Sequence, residues 1–298
     1  RLQNRVIVVG EASGNKGQKY PNNVLHTARY PNFFSLLTLG LVWIVFKSVS
    51  SCYFLVVSLF QLLTPFSPTG KFSTFAPYAS NKLMELYFLH LDNEKKKLAD
   101  YTINQRSVRV VVDGALISKP RSELQVGDVI MIEAEWRNEE VPADLLLLYS
   151  PSRDVYVNMA SLTGEKDPVQ KKVPEGLALK PPRDVPVYGI LYTEPVNDDL
   201  DSFNGTLCFG SERYPCNSDN VVLAGSILLQ GTDVYGVVFA THPETKLHMK
   251  NTTHAPKPGY LSCKLNTVTK YTLFFLVLFI MFGSFGNMFH LADEPSFS

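Results

Sequence analysis

Val108-Arg109-Val110-Val111-Val112-Asp113-Gly114 reads as a β-strand running into a tight hairpin turn. β-Branched residues crowd a helix but pack well on a pleated surface, and Asp-Gly supplies the two positive-φ positions that a two-residue hairpin needs. Working outward, the same texture recurs over 107–241. Short apolar runs at 129–132, 145–149, 155–157, 221–223, 227–229 and 234–240 alternate with turn residues, and Gly225, Gly231 and Gly236 punctuate the last group. Strands this short and this regularly spaced predict a compact β sandwich or jelly roll. Lys180-Pro181-Pro182-Arg183 predicts a loop, because proline cannot donate within a central ladder. No internal repeat and no low-complexity tract is visible.

The 298 residues carry 28 basic and 28 acidic side chains, which cancel. That balance gives no excess of cations for a nucleic-acid partner. The charges are unevenly placed, however. Residues 33–91 hold only Lys47, Lys71, Lys82 and Glu85, whereas 92–106 hold Asp92, Glu94, Lys95, Lys96, Lys97, Asp100 and Arg106. The contrast predicts membrane followed by a water-exposed stalk. Residues 271–289 contain no charge and suit a hydrocarbon core that takes ~20 helical residues to cross. Residues 33–63 are apolar over a longer reach and are interrupted by Lys47, which splits them into a leading or interfacial 33–46 and a crossing 48–63. A single tilted span is the alternative. Lys47 then lies near a boundary, where its stem can snorkel to the headgroups.

Residues 72–91 are interrupted by Asn81, Lys82 and Glu85, and in isolation they suit an amphipathic helix equally well. Topology decides in favour of a second span. The Lys95–Lys97 cluster marks its flank as cytoplasmic, so a chain that leaves at the first span returns here. The expected class is an α+β membrane protein, with transmembrane helices flanking a mostly β, jelly-roll-like domain. The chain opens at Arg1 rather than Met, which suggests a fragment. Cys52, Cys208, Cys216 and Cys263 show no CxxC spacing and read as buried free thiols. No metal site is expected. The sequons Asn204-Gly205-Thr206 and Asn251-Thr252-Thr253 fall in the polar domain and read as chance.

The sharpest local signal is Ser161-Leu162-Thr163-Gly164-Glu165, followed by Lys166, Pro168-Val169 and Lys171-Lys172. Upstream stand Val126-Gly127-Asp128 and Val141-Pro142-Ala143-Asp144. A carboxylate on a tight glycine turn can reach into another domain, align a water and take its proton. Gly164 allows close backbone approach. The bland alternative is that Glu165 is a solvated loop charge.

Taken together, these motifs resemble the actuator domain of P-type ATPases, which pairs a Val-Gly-Asp turn and a Pro-Ala-Asp turn with a Thr-Gly-Glu loop. Nearly the whole chain resembles the phospholipid-translocating, type-four branch. The carrying residues are Asn23-Val24, Thr27-Ala28-Arg29-Tyr30, Tyr53-Phe54-Leu55, Phe60-Gln61 and the run 67–74. Further along are Glu194-Pro195, Phe203, Gly205, Gly231-Thr232, Tyr235-Gly236-Val237-Val238, Thr245-Lys246-Leu247, Asn251, Lys257 and Asn266. One departure stands out. The branch usually reads Asp-Gly-Glu-Thr where this chain has Thr163-Gly164-Glu165-Lys166. Lys166 either steadies a phosphate or ties Glu165 in a salt bridge that idles it.

The resemblance implies a division of the chain. Residues 1–32 become a cytoplasmic lead-in, and 33–91 the first two spans with a short exoplasmic loop. Residues 92–265 become the cytoplasmic actuator, and 266–298 the third span. It implies catalytic roles for Glu165, Gly164 and Thr163 in hydrolysing an aspartyl phosphate. It also implies Gln61, Ser67, Thr69 and Thr74 as candidates for guiding a lipid headgroup, with interfacial snorkelling as the plain alternative for Gln61. ATP and Mg²⁺ belong to phosphorylation and nucleotide domains whose Asp-Lys-Thr-Gly motif is not in this sequence. Implied partners are a phospholipid, the bilayer, a small accessory membrane subunit and that phosphorylation domain, in a multi-pass protein of the plasma membrane or an endomembrane. Two rival readings remain: a flippase-like regulatory region of a larger membrane guanylyl cyclase, and a truncated membrane module without catalysis.

Overall fold

A computed structural model describes residues 5–10, 15, 20–64, 70–133, 140–177, 188–229, 232–253 and 259–293. The chain divides into two compact units, one formed by Arg1–Thr27 with Leu98–Ala255, the other by Ala28–Lys97 with Pro256–Ser298. The Lys-Pro-Pro-Arg loop lies outside the described residues.

The first unit is built of strands: β1 (Arg5–Val9), β2 (Ser107–Val112), β3 (Ala115–Pro120), β4 (Val129–Ile132), β5 (Asp144–Tyr149), β6 (Asp154–Asn158), β7 (Val169–Lys172), β8 (Gly189–Thr193), β9 (Gly205–Phe209), β10 (Glu212–Cys216), β11 (Val221–Val222), β12 (Ile227–Leu228) and β13 (Val234–Ala240). They form three antiparallel sheets, ordered β11-β5-β13-β4-β2-β3, β1-β8-β9-β10 and β12-β6-β7. The central strands β4, β5 and β13 are buried along almost their whole length, which is why they read as unbroken apolar runs rather than alternations. The β2–β3 hairpin turns at Asp113 and Gly114, with φ of 52° and 82°, as the Asp-Gly signal requires. A single apolar cluster joins the sheets, with Ile7, Ile130, Leu146, Leu191 and Leu207 at its centre.

Residues 5–27 are stitched to this core by asparagines. Asn15 brackets the Val8 peptide with two bonds of 2.8 Å and donates to the Val126 carbonyl at 3.0 Å. Asn23, 1% exposed, donates to the carbonyls of Arg121 and Pro142 and accepts from the His242 amide. Gly127 in the Val-Gly-Asp turn sits at φ +96°, and a Cβ there would stand 2.4 Å from the Val8 carbonyl oxygen. Only glycine fits that crossing.

The second unit holds helices α1 (Phe33–Phe46, with a π turn at Leu36–Gly40), α2 (Val49–Leu63), the greater part of α3 (Phe75–Asn104), and, beyond the first unit's short α4 (Ala160–Thr163) and α5 (Lys246–Thr253), α6 (Tyr260–Asp293). α1 and α2 meet at 102° across Lys47 and Ser48, where the sequence splits them. Ser48 is extended and its Oγ accepts from the Ser51 amide at 3.2 Å, so a new helix starts there instead of the old one continuing. Gly40 lets α1 approach Leu89 of α3, since a Cβ there would lie 3.2 Å from the Leu89 methyl.

Among the described residues, one helix, Tyr260–Met288, is by itself long and apolar enough to cross a membrane, with mean hydropathy 1.8 and none of that window buried. The bent pair α1–α2 reaches that standard when taken together. α3 does not, because Lys82, Glu85 and the charges from Asp92 onward interrupt it. All four cysteines are free, but only Cys216 is buried. Cys52 and Cys208 are half-buried and Cys263 is exposed, which corrects the expectation of buried thiols.

Candidate active site

Strands β6 and β7 pair from Asp154↔Lys172 to Val157↔Val169, so the Thr-Gly-Glu run closes a hairpin at one end of the three-stranded sheet. The base of this loop is tightly held. Asn158 Oδ1 accepts from the Ala160 amide at 2.8 Å and starts the short helix α4. Met159 is buried, Leu162 packs against the core, and the Met159 carbonyl accepts from the amides of Leu162 and Thr163. Ser161 Oγ donates to the Gly225 carbonyl at 2.6 Å.

That last bond joins the loop to the flanking motifs. Gly225 N donates to the Val141 carbonyl, and Val141 N to Ser226. Asp144, wholly buried, accepts from the Ala224 amide at 2.8 Å and the Lys246 amide at 2.9 Å. Burial pushes its carboxyl up to about 6, against the pull of those two amides and the Lys246 charge. Lys246 is itself driven down by burial, while its Nζ donates to Asn197 Oδ1 and the carbonyls of Asp199 and Ser202. In the Val-Gly-Asp turn, Asp128 accepts from the Gln125 amide at 2.8 Å, and burial raises its carboxyl too. These two aspartates are braces. Neither reaches the loop tip.

The tip is bare by contrast. Residues 163–170 are all exposed. Thr163 Oγ1 donates to the Met159 carbonyl at 3.2 Å and lies 3.3 Å from the Glu165 amide that donates to it. Gly164 ends α4 in the left-handed region, φ +81°, and nothing stands within 4 Å of where its Cβ would be. Among the described residues the Glu165 carboxylate has no hydrogen-bond or ion-pair partner, so Lys166 does not tie it down. Chemically the tip offers an unspent carboxylate on a short, fixed arm. Sequence reading singled out Thr163, Gly164 and Glu165, which the structure brings together, but not Ser161, whose role appears only once Gly225 lies beside it.

The lipid-path candidates are not one cluster. Thr74 is half-buried and lines a cavity between α2 and α3. Gln61 does not line it; its Oε1 is shut off from solvent without a partner among the described residues. Ser67 and Thr69 lie outside the described residues. No group of three or more His, Cys, Asp or Glu side chains among the described residues is placed to hold a metal ion.

Comparison with known proteins agrees with this geometry. Residues 102–250 match the P-type ATPase actuator domain, and residues 7–75 match the phospholipid-translocating ATPase N-terminal domain. The chain belongs to the P-type ATPases, and its actuator domain is that of their phospholipid-transporting branch. It is 27% identical over 279 residues to mouse phospholipid-transporting ATPase FetA, covering 92% of this chain and 23% of that protein. It is 28% identical over 277 residues to human phospholipid-transporting ATPase ID, covering 92% and 22%. Over 280 residues it is 30% identical to the probable phospholipid-transporting ATPase 12 of Arabidopsis thaliana, covering 92% and 23%. The chain thus spans less than a quarter of the length of these relatives.

Proposed function

We propose that this chain supplies the dephosphorylating arm and part of the lipid path of an ATP-driven phospholipid translocase. Glu165 is the catalytic carboxylate. It orients a water in line with the phosphorus of an aspartyl phosphate on the phosphorylation domain and takes its proton as the new P–O bond forms. The bond to the aspartate breaks, and inorganic phosphate leaves. Gly164 gives the tip its turn and keeps it slim, and Thr163 steadies it from behind. The carrying observation is the contrast within one loop, a base fixed by Ser161 and Asn158 and a tip whose carboxylate is unspent.

In this reading α2, residues 72–91 and α6 cross the bilayer, α1 lies along its cytoplasmic interface, and the β unit is cytoplasmic. The exposed aromatic and aliphatic side chains of α1, α2 and α6 support that placement, as do the lysines following residue 91. Gln61, Ser67, Thr69 and Thr74 border the lipid path. ATP and Mg²⁺ act at the phosphorylation and nucleotide domains; the described residues here offer no cluster fit for the metal. The protein is multi-pass, in the plasma membrane or an endomembrane, and works with a small accessory membrane subunit. The relatives, all phospholipid-transporting ATPases, favour this reading over the cyclase-linked one.

Glu165→Gln in the full-length protein keeps the shape and removes the base. Phosphoenzyme decay should slow by about 10²–10⁴-fold, the usual worth of a positioned general base, with thermal stability unchanged. Decay at the wild-type rate would reject the role.

A further inference from the structure

A cavity of about 850 Å³ opens in the β unit, lined by the end of β7, the 3₁₀ turn Ser218–Asn220 and parts of β8, β9 and β10. Its wall is acidic. Glu175 and Asp219 are exposed there and Glu194 is half-buried, against Lys172 as the one base among the described lining residues. None of these four side chains forms an ion pair among the described residues. Glu194 spends Oε1 on the Asn204 amide at 3.2 Å and the Ser202 hydroxyl at 3.5 Å, and its second oxygen makes no bond among the described residues. Outside the wall, Lys171 and Lys246 feel the charges of Asp219 and Glu194, but their ammonium groups bond other oxygens. They temper the negative potential and leave the wall's carboxylates open.

Thr193 supplies a second, independent sign. It is 4% exposed and lines the cavity, yet its hydroxyl has no hydrogen-bond partner among the described residues. Nor is its Oγ1 one of the fully enclosed orphan oxygens, so the side left open faces the cavity. A buried hydroxyl of this kind calls for an entering group to bond it, and beside three carboxylates that group is one that donates. The carboxylates do not converge, because no three acidic, His or Cys side chains among the described residues are placed around a single metal ion. A point cation therefore cannot serve all three. Ammonium groups spaced along a chain can.

We propose that this cavity binds a linear aliphatic oligoamine, whose spaced ammonium groups pair with Glu175, Glu194 and Asp219 and donate to the Thr193 hydroxyl. The methylenes between them lie along the Tyr192 ring, which is 44% exposed on the same wall and offers its face to a cation. Lys172 opposes the ligand with a like charge, and its exposed side chain is free to turn to solvent. The site is separate from the Glu165 tip, and its occupancy does not depend on the transport reading.

The test is equilibrium dialysis of spermidine against the full-length protein in neutral detergent micelles, at low salt and without ATP. Wild type should bind it saturably. Glu194→Gln keeps the carbonyl that the Asn204 amide needs and should raise Kd about tenfold, the worth of a hydrogen bond to a charged group. Asp219→Asn and Glu175→Gln should each raise it about threefold, as exposed ion pairs do, and Thr193→Val by a similar factor. Lys172→Gln should act the other way and tighten binding about threefold, since it removes the like charge. That gain, on an exposed residue, carries the test if Glu194→Gln fails to fold. No saturable binding by wild type, or a wild-type Kd in Glu194→Gln, Asp219→Asn and Lys172→Gln alike, would overturn the site. Displacement by Mg²⁺ beyond that caused by NaCl of equal ionic strength would overturn the requirement for spaced charges. A lysine-rich peptide that binds more tightly than spermidine, with the same order among the variants, would overturn a free amine as the occupant.

Discussion

The β unit and the helical unit treat buried polar atoms in opposite ways. In the β unit Asp144, Asn23 and Asp128 each meet backbone partners at ordinary distances, and Lys246 spends its ammonium on three oxygens. The Arg5–Glu244 pair at β1 is the exception, with guanidinium nitrogens left over. In the helical unit the Tyr78 hydroxyl and Gln61 Oε1 are enclosed with no partner among the described residues, while Lys82 spends its ammonium on Ser51 and Glu85. A saturated polar group is spent on holding the fold together. An enclosed one without a partner is a cost the packing carries, and an exposed one, as Glu165 is, remains available to something outside the chain.

Breaking the saturated set should give the largest stability loss. Asp144→Ala strands the buried amides of Ala224 and Lys246 and removes one of the four acidic groups that favour the charged Lys246 ammonium. Each buried donor left unsatisfied costs about 1–3 kcal/mol, so chemical unfolding of the β unit should show a loss of about 2–5 kcal/mol. A loss below about 1 kcal/mol would mean that Asp144 does not brace the loop through Gly225. Lys82→Met in the helical unit should cost less, since the carboxylate it leaves behind, Glu85, is half-exposed rather than stranded in a core.

The same contrast explains what the sequence revealed. The runs at 108–112, 129–132, 145–149, 155–157, 221–223, 227–229 and 234–240 all became strands; β4, β5 and β13 read as unbroken apolar runs because central strands are buried on both faces, while β11 and β12 are edge strands whose side chains are mostly buried all the same. β7, β8, β9 and β10 went unread, and β3 was implied only as the second arm of the Asp-Gly hairpin. β3, β7 and β10 stand at sheet edges with mostly exposed or half-buried side chains, and β10 includes Pro215, which an edge tolerates and a centre does not; β8 and β9 lie inside their sheet but bury few of their side chains. β1 went unread for a different reason: its partner β8 lies far along the chain, Val9 pairing with Gly189 and Arg5 with Thr193, and no local pattern announces such a pairing. At the site, Glu165 was legible because its motif is contiguous. Ser161 and Ser51 were not, since each acquires its role from residues such as Gly225 and Lys82 that only folding brings near.

A pH titration sharpens the comparison within the β unit. Burial, with help from His248, Arg121 and His26 nearby and against the pull of Asp100, lowers the His242 imidazole to about 4 from its usual 6.5. The folded state therefore holds this ring neutral, edge-on to His248 at 4.2 Å, while the unfolded chain takes up a proton below 6.5. Stability should be fully present above pH 6.5 and fall as pH drops toward 4. Asp144 acts in the reverse sense between its unfolded value near 3.9 and its folded value of about 6, favouring the acid side of that window. Denaturation midpoints of His242→Gln across pH 4–7 should lose the acid-side decline and leave the opposite Asp144 slope visible. An unaltered profile would mean that the ring is solvated.

The smallest expected stability effect lies at Gly164, and it separates local strain from contact with a partner. The residue sits at φ +81° with nothing within 4 Å of a Cβ position, so within this chain the only obstacle to a side chain is backbone conformation. Gly164→Ala should cost about 1 kcal/mol of stability, and Gly164→Asn less, because asparagine tolerates the left-handed region. If strain were the whole story, phosphoenzyme decay in the full-length protein would fall in that order, alanine below asparagine. If the tip is pressed against the phosphorylation domain during hydrolysis, the bulkier asparagine should slow decay more, although it disturbs the fold less. The reversal of order between the two measurements is the signature of an encounter that the 298-residue chain cannot make by itself. Matching orders would remove the reason for a glycine at the point of contact.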